Sequence, residues 1–374
     1  MRTICYWAPC IDKVATIQAV KNSVKGVNLY LKESAKAIIL NSLGEWNDNI
    51  YKEVNFYNLT NLDLFKRLPI KGFFKSRFTY IIIILFSAFP LFNYLNKKKP
   101  DYLIIHLLTS LPIILFICFN FKTKLILRVS GLPKLNFFRK CLWKLINKKI
   151  HKVTCPTQQT LKDLKEKKIF SDDKLYLLYD PVIEVKEYSY LEKKIDIYEK
   201  NYLISVGRLT KQKNHLLLLK FFNEISNKYN DLKLVVCGNG EEFLRLNNYA
   251  KKFKLENKII MKGYVNDVKN WIKGAKCVIS TSLWEDPGFV MIEAAMCNTF
   301  VISSNCPNGP KEFIQNDENG ILFKSDKLDD LVKKFDYFMS LDNKQIMKKK
   351  INAKKKVKNY TIFSHTKNLN KILF

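Results

Sequence analysis

Short apolar segments alternate with longer segments of helical period along most of the chain, and this alternation restricts the fold more than any other feature. Apolar runs of five or six residues have the length of buried strands, whereas apolar residues that recur every three or four positions form one face of a helix. Alternating strands and helices build parallel sheets that are covered on both faces. In the first half, strands are predicted at 3–7, 37–40, 102–105, 124–129 and 152–154, and helices at about 14–25, 76–96, 109–119, 136–148 and 157–168.

The alternation stops near residue 184 and starts again near residue 201. The residues between are polar and charged and have no apolar face, which is typical of a linker. Beyond it, strands are predicted at 202–206, 232–237, 258–261, 276–280 and 299–303, and helices near 214–228, 241–253, 266–273 and 287–296. We therefore predict an α/β protein of two tandem Rossmann-like, doubly wound domains that face each other across a cleft. The predicted boundaries are 1–185 for the first domain, 186–200 for the linker and 201–355 for the second domain.

The net charge of +30 leaves three anionic partners open: nucleic acid, a membrane surface or a small molecule. Lysine supplies 57 of the basic residues and arginine only 7, although arginine is better suited to bidentate recognition of bases and phosphates. This composition argues against nucleic acid. The charge is also uneven, because residues 51–150 hold 18 Lys or Arg against 3 Asp or Glu.

The cysteines and the N-terminal sequence indicate a cytoplasmic protein. The nine cysteines include no C-x-x-C pair and no tight His/Cys cluster, which disfavours both a disulfide framework and a zinc site. The apolar stretch at the N-terminus is too short for a signal peptide and runs directly into a helical pattern.

One segment offers an alternative to the interpretation of a wholly soluble protein. Residues 78–95, FTYIIIILFSAFPLFNYL, form a largely apolar run with KSR before it and KKK after it, near the length of a membrane span. Ser87, Pro90 and Asn93 interrupt the run, which lies between two predicted strands. A buried helix, a helix that also touches the membrane surface and a true span all remain open.

The segment 201–215, NYLISVGRLTKQKNH, carries the first candidate site. The predicted strand ends at Val206, Gly207 permits a tight exit, and Arg208 and Lys213 flank the loop before the next helix. Two cations beside the free N–H groups at the start of a helix suit a diphosphate. The alternative is that Lys213 is one of many surface lysines, but Arg208 is harder to dismiss because arginine is scarce in this chain.

The segment 283–296, LWEDPGFVMIEAAM, carries a second candidate site with two carboxylates, Glu285 and Glu293. Asp286 can cap the following helix and Pro287 suits its first position, so we expect Glu285 in a loop at the end of a strand and Glu293 within the helix. A carboxylate among apolar side chains needs a partner. Sugar or ribose hydroxyls would supply one, although a salt bridge within the domain is an equally good account of Glu293.

Together, these segments resemble the retaining sugar transferases of glycosyltransferase family 4, which have the GT-B fold. The resemblance is carried by GRLTKQKN, by E-x7-E in EDPGFVMIE about 80 residues later, and by the following EAAMCNTFVISSNCPNGPKEFI and NGILF. It is strongest from 201 to about 335 and weaker in PDYLIIH, LRVSGLPKL and CPT of the first half. It also implies that a final helix, at 356–374, crosses back to the first domain.

The resemblance implies roles for the matching residues. Arg208 and Lys213 would neutralise the diphosphate of the nucleotide, Glu285 would be a catalytic residue that contacts the hydroxyls of the donor sugar, and Glu293 would accept hydrogen bonds from the ribose. The implied loop contacts are the main-chain N–H groups of Gly288, Phe289 and Val290 with sugar and phosphate, and the loop of Gly263, Tyr264, Val265 and Asn266 with the base.

His106 is the second candidate catalytic residue. It ends the predicted strand 102–105, and in the resembling enzymes a histidine of the first domain approaches the donor sugar. A core histidine is the alternative. His151 and His365 are expected on the surface, and His215 in the helix after Lys213.

The chain departs from the family in two places. The loop 9–16 lacks the glycines that family members carry after the first strand, which puts its contacts in doubt, and Lys13 is a candidate to replace some of them. Asn298 replaces the usual glycine after the helix of Glu293, and asparagine tolerates the left-handed conformation needed there. No D-x-D motif follows a predicted strand, so we expect no metal and no other cofactor.

The sequence therefore predicts a cytoplasmic, retaining, metal-independent glycosyltransferase that uses a nucleoside-diphosphate sugar, most simply a UDP-sugar. The basic, apolar first domain suggests an acceptor at a membrane surface, such as a lipid-linked glycan, a surface polysaccharide or a lipopolysaccharide core, and peripheral contact with the inner face of the cytoplasmic membrane. The alternatives are a sugar-nucleotide epimerase or phosphorylase of the same fold, a non-catalytic relative, and a basic nucleic-acid-binding protein, although no nucleic-acid module is recognisable.

Overall fold

The computed structural model describes residues 1–10, 15–47, 54–69, 73–131, 135–189 and 201–374. Lys13 and most of the predicted linker lie outside these residues. The chain divides into two compact units, Met1–Val182 together with Ile362–Phe374, and Ile183–Thr361. The sequence placed the corresponding boundaries at 185 and 356.

The first unit is a parallel sheet of seven strands in the order β3-β2-β1-β4-β5-β6-β7. Alternate residues of the central strands face opposite sides, so Ile4 and Tyr6 pack in one apolar layer while Cys5 and Trp7 pack in the other. The strands are β1 (Arg2–Trp7), β2 (Ala35–Asn41), β3 (Phe56–Asn58), β4 (Tyr102–Ile105), β5 (Lys124–Arg128), β6 (Ile150–Cys155) and β7 (Leu175–Leu177). The helices between them are α1 (Ala15–Tyr30), α2 (Phe73–Lys98), α3 (Ser110–Cys118), α4 (Phe137–Ile146) and α5 (Gln158–Glu166).

The second unit is a parallel sheet of six strands in the order β10-β9-β8-β11-β12-β13. Two parallel α/β domains, as predicted, are thereby confirmed. The strands are β8 (Tyr202–Val206), β9 (Lys233–Cys237), β10 (Ile259–Gly263), β11 (Cys277–Ser280), β12 (Phe300–Ser304) and β13 (Ile321–Phe323). The helices are α6 (Val185–Ser189), α7 (His215–Ile225), α8 (Phe243–Lys252), α9 (Val268–Gly274), α10 (Phe289–Met296), α11 (Gly309–Phe313), α12 (Leu328–Ser340) and α13 (Asn343–Val357).

The last helix, α14 (Ile362–Leu373), belongs to the first unit, where it packs against α1. A β-carbon at Gly26 would lie 2.2 Å from the hydroxyl oxygen of Thr366, so the two helices approach too closely for any larger residue there. The prediction that His365 lies on the surface is wrong. This residue is 5% exposed, and its ring nitrogens lie 2.8 Å from the Ser23 hydroxyl and 2.7 Å from the Tyr179 carbonyl oxygen.

Helix α2 contains the long apolar segment and is packed on one side only. Leu91 and Leu95 are buried in the apolar layer that contains Trp7, and Ile83 is buried beside Leu43. Among the described residues, this is the one helix long and apolar enough to cross a membrane, and 33% of its most apolar part is buried.

We expect buried neutral histidines to make the protein less stable in acid. Burial lowers the pKa of His215 to about 3, from 6.5. Between these two values the unfolded chain binds a proton at this residue that the folded chain does not. The stabilisation is fully present above pH 6.5 and is lost as the pH falls toward 3, by about 1.4 kcal/mol per pH unit.

Urea unfolding of the wild type and of His215→Gln between pH 6 and pH 4 measures this contribution. The free energy of unfolding of the wild type should fall with decreasing pH more steeply than that of the variant, by about 1.4 kcal/mol per pH unit. Parallel pH profiles would show that His215 does not control acid stability.

Candidate active site

Two loops of the second unit meet at the carboxyl ends of adjacent strands. Strand β8 leads into residues 207–214, and its neighbour β11 leads into residues 281–288. The Leu283 N–H donates to the Gln212 carbonyl oxygen at 2.8 Å, and the Gln212 side-chain amide donates to the Trp284 carbonyl oxygen at 2.9 Å. Residues about 70 positions apart are therefore held in one fixed arrangement.

Lys213 and Glu285 form an ion pair where these loops meet. The Lys213 Nζ and Glu285 Oε1 atoms lie 2.5 Å apart, and the Ser282 hydroxyl donates to the same oxygen at 2.6 Å. The side chains of Lys213 and Glu285 are 18% and 9% exposed. The second carboxylate oxygen, Oε2, accepts no hydrogen bond from the part of the chain that the structure describes. The pair thus offers one cation and one free carboxylate oxygen in a partly dehydrated position.

Arg208 adds an exposed positive charge at the end of β8. Within the described residues its guanidinium forms no ion pair, whereas Lys213 is already paired with Glu285. A β-carbon at Gly207 would lie 3.3 Å from Lys213 Cε, so the lysine side chain lies across the glycine. Both predicted phosphate-binding cations therefore belong to one loop, and Arg208 is the one whose charge is not already neutralised by a carboxylate.

The loop after β9 supports this arrangement through two glycines that were not among the predicted site residues. A β-carbon at Gly238 would lie 1.8 Å from the Gly207 carbonyl oxygen, and one at Gly240 would lie 2.3 Å from the Leu209 carbonyl oxygen. The signal was available, because Gly-Asn-Gly directly after a strand marks a tight backbone turn. Because these glycines have no side chain, the loop after β9 can pack directly against the backbone on both sides of Arg208.

Helix α10 begins differently from the prediction. Gly288 is its N-cap residue, with φ of +90°, and the helix starts at Phe289. The predictions that Asp286 caps the helix and that Pro287 is its first residue are therefore wrong. The physical reason is the close packing of this loop: a β-carbon at Gly309 would lie 1.6 Å from the Pro287 carbonyl oxygen. Glu285 and Asn308 are also joined by an isolated parallel bridge. As predicted, Glu285 lies in the loop and Glu293 within the helix.

Glu293 lies in a different electrostatic environment from Glu285. Burial raises the pKa of its carboxyl, the Lys269 cation opposes that shift, and the Glu187 carboxylate adds to it. Lys269 is itself ion-paired with Glu187, and its Nζ lies 4.8 Å from the ring centre of Tyr188. In the described residues no hydrogen bond or ion pair joins Glu293 to Glu285. The structure therefore brings Lys213 and Glu285 together but leaves Glu293 in a separate cluster.

The predicted base-binding loop, from Gly263 to Asn266, begins at the last residue of β10, at the same edge of the sheet. Gly263 has φ of +67°, and its carbonyl oxygen accepts a hydrogen bond from the Gly238 N–H at 2.7 Å. Tyr264 is 57% exposed. The loop thus lies beside the loop after β9 and carries an exposed aromatic ring.

His106 lies in the first unit, directly after strand β4. The main-chain N–H of His106 donates to the Trp7 carbonyl oxygen at 2.9 Å, and the centre of the imidazole ring lies 5.9 Å from the centre of the Tyr6 ring. Burial and the Arg128 cation hold the pKa of the imidazole well below its usual range. Its Nδ1 has no hydrogen-bond partner among the described residues. It is therefore a neutral imidazole at the carboxyl end of β4.

The described residues contain no group of three or more His, Cys, Asp and Glu side chains placed to hold a metal ion. Among the charged groups at the carboxyl edge of the second sheet, Arg208, Lys213 and Glu285 are the predicted site residues that lie in the two adjoining loops after β8 and β11.

Two parallel-sheet α/β domains in one chain are the architecture of the GT-B fold. Solved structures support the fold at low sequence identity. A glycosyltransferase from Rickettsia africae superposes with a TM-score of 0.78 at 18% identity, over 100% of this chain and 97% of that one. Anabaena HepE in complex with UDP and glucose superposes with a TM-score of 0.74 at 12% identity, over 100% and 99%.

Residues 190–357, which make up nearly all of the second unit, match the family described as "Glycosyl transferases group 1". An uncharacterized glycosyltransferase of Methanocaldococcus jannaschii is 28% identical over 66% of this chain and 64% of its own length. The Campylobacter jejuni N-acetylgalactosamine-N,N'-diacetylbacillosaminyl-diphospho-undecaprenol 4-alpha-N-acetylgalactosaminyltransferase is 28% identical over 56% and 58%. The chain thus spans about three-fifths of these relatives' length.

Proposed function

We propose that the protein is a retaining, metal-independent glycosyltransferase of family 4 that uses a UDP-sugar. The observation that carries the proposal is the Lys213–Glu285–Ser282 cluster beside the exposed Arg208, in a domain of the group 1 family. The bond between the anomeric carbon and the β-phosphate oxygen breaks, and its electrons go to the diphosphate. The acceptor oxygen bonds to the same face of that carbon, and its proton passes to a diphosphate oxygen. No group other than donor and acceptor is consumed.

The charges at the site suit this reaction. Negative charge develops on the departing diphosphate, and fixed cations stabilise such charge more in the transition state than in the ground state. Arg208 and Lys213 supply the cations, and the N–H groups of Gly288, Phe289 and Val290 at the start of α10 add a positive helix end. The free Oε2 of Glu285 accepts from a sugar hydroxyl.

The remaining predicted contacts form part of the same proposal. Glu293 accepts hydrogen bonds from the ribose, which would replace the water that its burial removes, and the loop of Tyr264 meets the base. His106 approaches the donor sugar from the first unit as a neutral hydrogen-bonding group. No metal or other cofactor takes part.

For the acceptor, we propose a lipid-linked or surface glycan at the inner face of the cytoplasmic membrane. The name of the Campylobacter jejuni relative specifies an undecaprenol-linked substrate. The name of a Staphylococcus aureus relative, which is 26% identical, specifies poly(ribitol-phosphate). Both names describe transferases, which favours transfer over the epimerase and nucleic-acid alternatives.

The test is thermal stabilisation and sugar transfer with a panel of UDP- and GDP-sugars. We expect one UDP-sugar to raise the Tm of the wild type, and Glu285→Gln to lose most of that shift, because the variant lacks the negative charge that holds Lys213 and accepts from the sugar. Glu256→Gln, at an exposed carboxylate of the same unit, is the matched control and should behave like the wild type.

Transfer should continue at an unchanged rate in excess EDTA. Loss of activity in EDTA with recovery in Mn²⁺ would contradict the metal-independent part of the proposal. Failure of every nucleotide sugar to change the Tm would contradict the site itself.

A further inference from the structure

Helix α2 presents an apolar stripe that the first unit does not cover. Phe78, Ile81, Leu85 and Phe89 are 57%, 54%, 68% and 70% exposed. Their spacing of three, four and four places them on one face of the helix, along about 16 Å of its axis. We call these four residues the α2 stripe. Such a continuous exposed patch on a folded domain marks an interaction surface.

The opposite side of α2 fixes the helix in the unit. Leu91 and Leu95 are fully buried, and the Thr79 hydroxyl donates to the Pro69 carbonyl oxygen at 2.8 Å. Rotating the helix to hide the stripe would expose Leu91 and Leu95 to water, and withdrawing it to span a bilayer would expose the apolar layer of the unit on which these residues pack. The stripe can therefore be covered only by something that approaches from outside.

The charge around the stripe selects an anionic partner. Lys97 and Lys98 form the last turn of α2, and the helix contains no Asp or Glu. Residues 51–150 hold 18 Lys or Arg against 3 Asp or Glu. A second copy of this chain would bring the same positive charge to the contact, whereas anionic lipid headgroups attract lysines near a membrane surface.

Helix α4 repeats the combination within the same unit. Phe137, Phe138 and Leu145 are 85%, 61% and 64% exposed, and Lys140 and Lys144 are exposed between them. This helix packs on α3, which in turn packs on α2. Exposed aromatic side chains beside lysines are typical of helices that lie in a membrane interface.

We propose that the α2 stripe is a membrane-docking surface that inserts into the headgroup region of an anionic bilayer, with α2 parallel to the membrane plane. The proposal rests on the proposed function only for its purpose, which is to bring the first domain to a lipid-linked acceptor. Lys97 and Lys98 add electrostatic attraction, and the apolar side chains supply the insertion.

Flotation with vesicles of phosphatidylcholine, with and without about a third of phosphatidylglycerol, tests the proposal. We expect the wild type to bind the anionic vesicles more strongly, and less so at high salt. The double variant Leu85→Ser/Phe89→Ser should bind at least about tenfold more weakly, because two large apolar side chains no longer enter the interface. Leu244→Ser, at a residue of α8 that is 73% exposed, is the control and should bind like the wild type.

Three outcomes would overturn the proposal: equal vesicle binding by the double variant, equal binding to neutral and anionic vesicles, or a wild-type dimer that the double variant abolishes. The Tm of the double variant establishes that it is folded. Its stabilisation by a UDP-sugar separates the two proposals, since a docking defect leaves donor binding intact and a wrong donor assignment leaves vesicle binding intact.

Discussion

Replacing Lys213 with methionine is expected to lower kcat/KM for sugar transfer by a factor of about 10² to 10³. The substitution keeps the apolar stem that covers Gly207 but removes a cation from the site of the departing diphosphate. Because charge on the diphosphate grows as the bond breaks, the loss should appear mainly in kcat. Initial rates over a range of donor concentrations separate kcat from KM.

The same substitution removes the partner of Glu285. Without the Lys213 cation, the carboxylate loses its ion pair and keeps only the Ser282 hydroxyl as a donor among the described residues. The effects of Lys213→Met and Glu285→Gln should therefore be strongly non-additive, because each variant disables the same cluster. Lys211→Met, at an exposed lysine of the same loop, should keep the wild-type rate. A Lys213→Met enzyme with wild-type kcat would remove this residue from the mechanism.

The second large effect is on stability and involves the buried ion pair of the first unit. Arg128 and Asp180 are 3% and 6% exposed and form an ion pair, and an Arg128 N–H also donates to the Leu178 carbonyl oxygen at 2.7 Å. Asp180→Ala would leave the guanidinium buried without its carboxylate. We expect a loss of about 3–5 kcal/mol in the free energy of unfolding of this unit.

Urea unfolding followed by circular dichroism measures this loss as a lower midpoint for the transition of the first unit. Removing both charges in Arg128→Met/Asp180→Leu should restore much of the stability, because no unpaired charge is then buried. Glu166→Ala breaks an exposed pair with Lys162 and should cost less than about 1 kcal/mol. If Asp180→Ala lowers the free energy of unfolding by no more than Glu166→Ala does, the buried pair does not support the fold.

The sequence predicted the central strands of both sheets because each is a run of apolar residues long enough to stand out. Three short strands, β3, β7 and β13, were not predicted, since each has only three residues and lies at the edge of a sheet. Asn298, predicted to tolerate a left-handed conformation, has φ of +60°. His365 was placed wrongly although its spacing gave a signal: it lies three residues after Ile362 and four before Leu369, on the buried face of α14.

The candidate site was predictable from the sequence where its functional residues lie in short motifs. Arg208, Lys213 and Glu285 were recognisable from residue type, position and order. The Lys213–Glu285 ion pair and the glycines at 238 and 309 were not, because they arise from contacts between loops that are distant in sequence. The start of α10 was misplaced for the same reason: the backbone of residue 287 is held against Gly309, and local helix-capping rules do not include that contact.

The assignment of α14 to the first unit has a consequence for how the chain is made. The second unit is continuous in sequence, from Ile183 to Thr361, and all of it is synthesised before α14. Until α14 is made, Gly26 of the first unit lacks Thr366, against which it packs. The Tyr102 hydroxyl likewise lacks its acceptor, the Leu373 carbonyl oxygen, which lies 2.6 Å away in the finished fold. The first unit is thus the last to complete its packing, because the surface of α1 that α14 covers stays exposed until α14 has been synthesised.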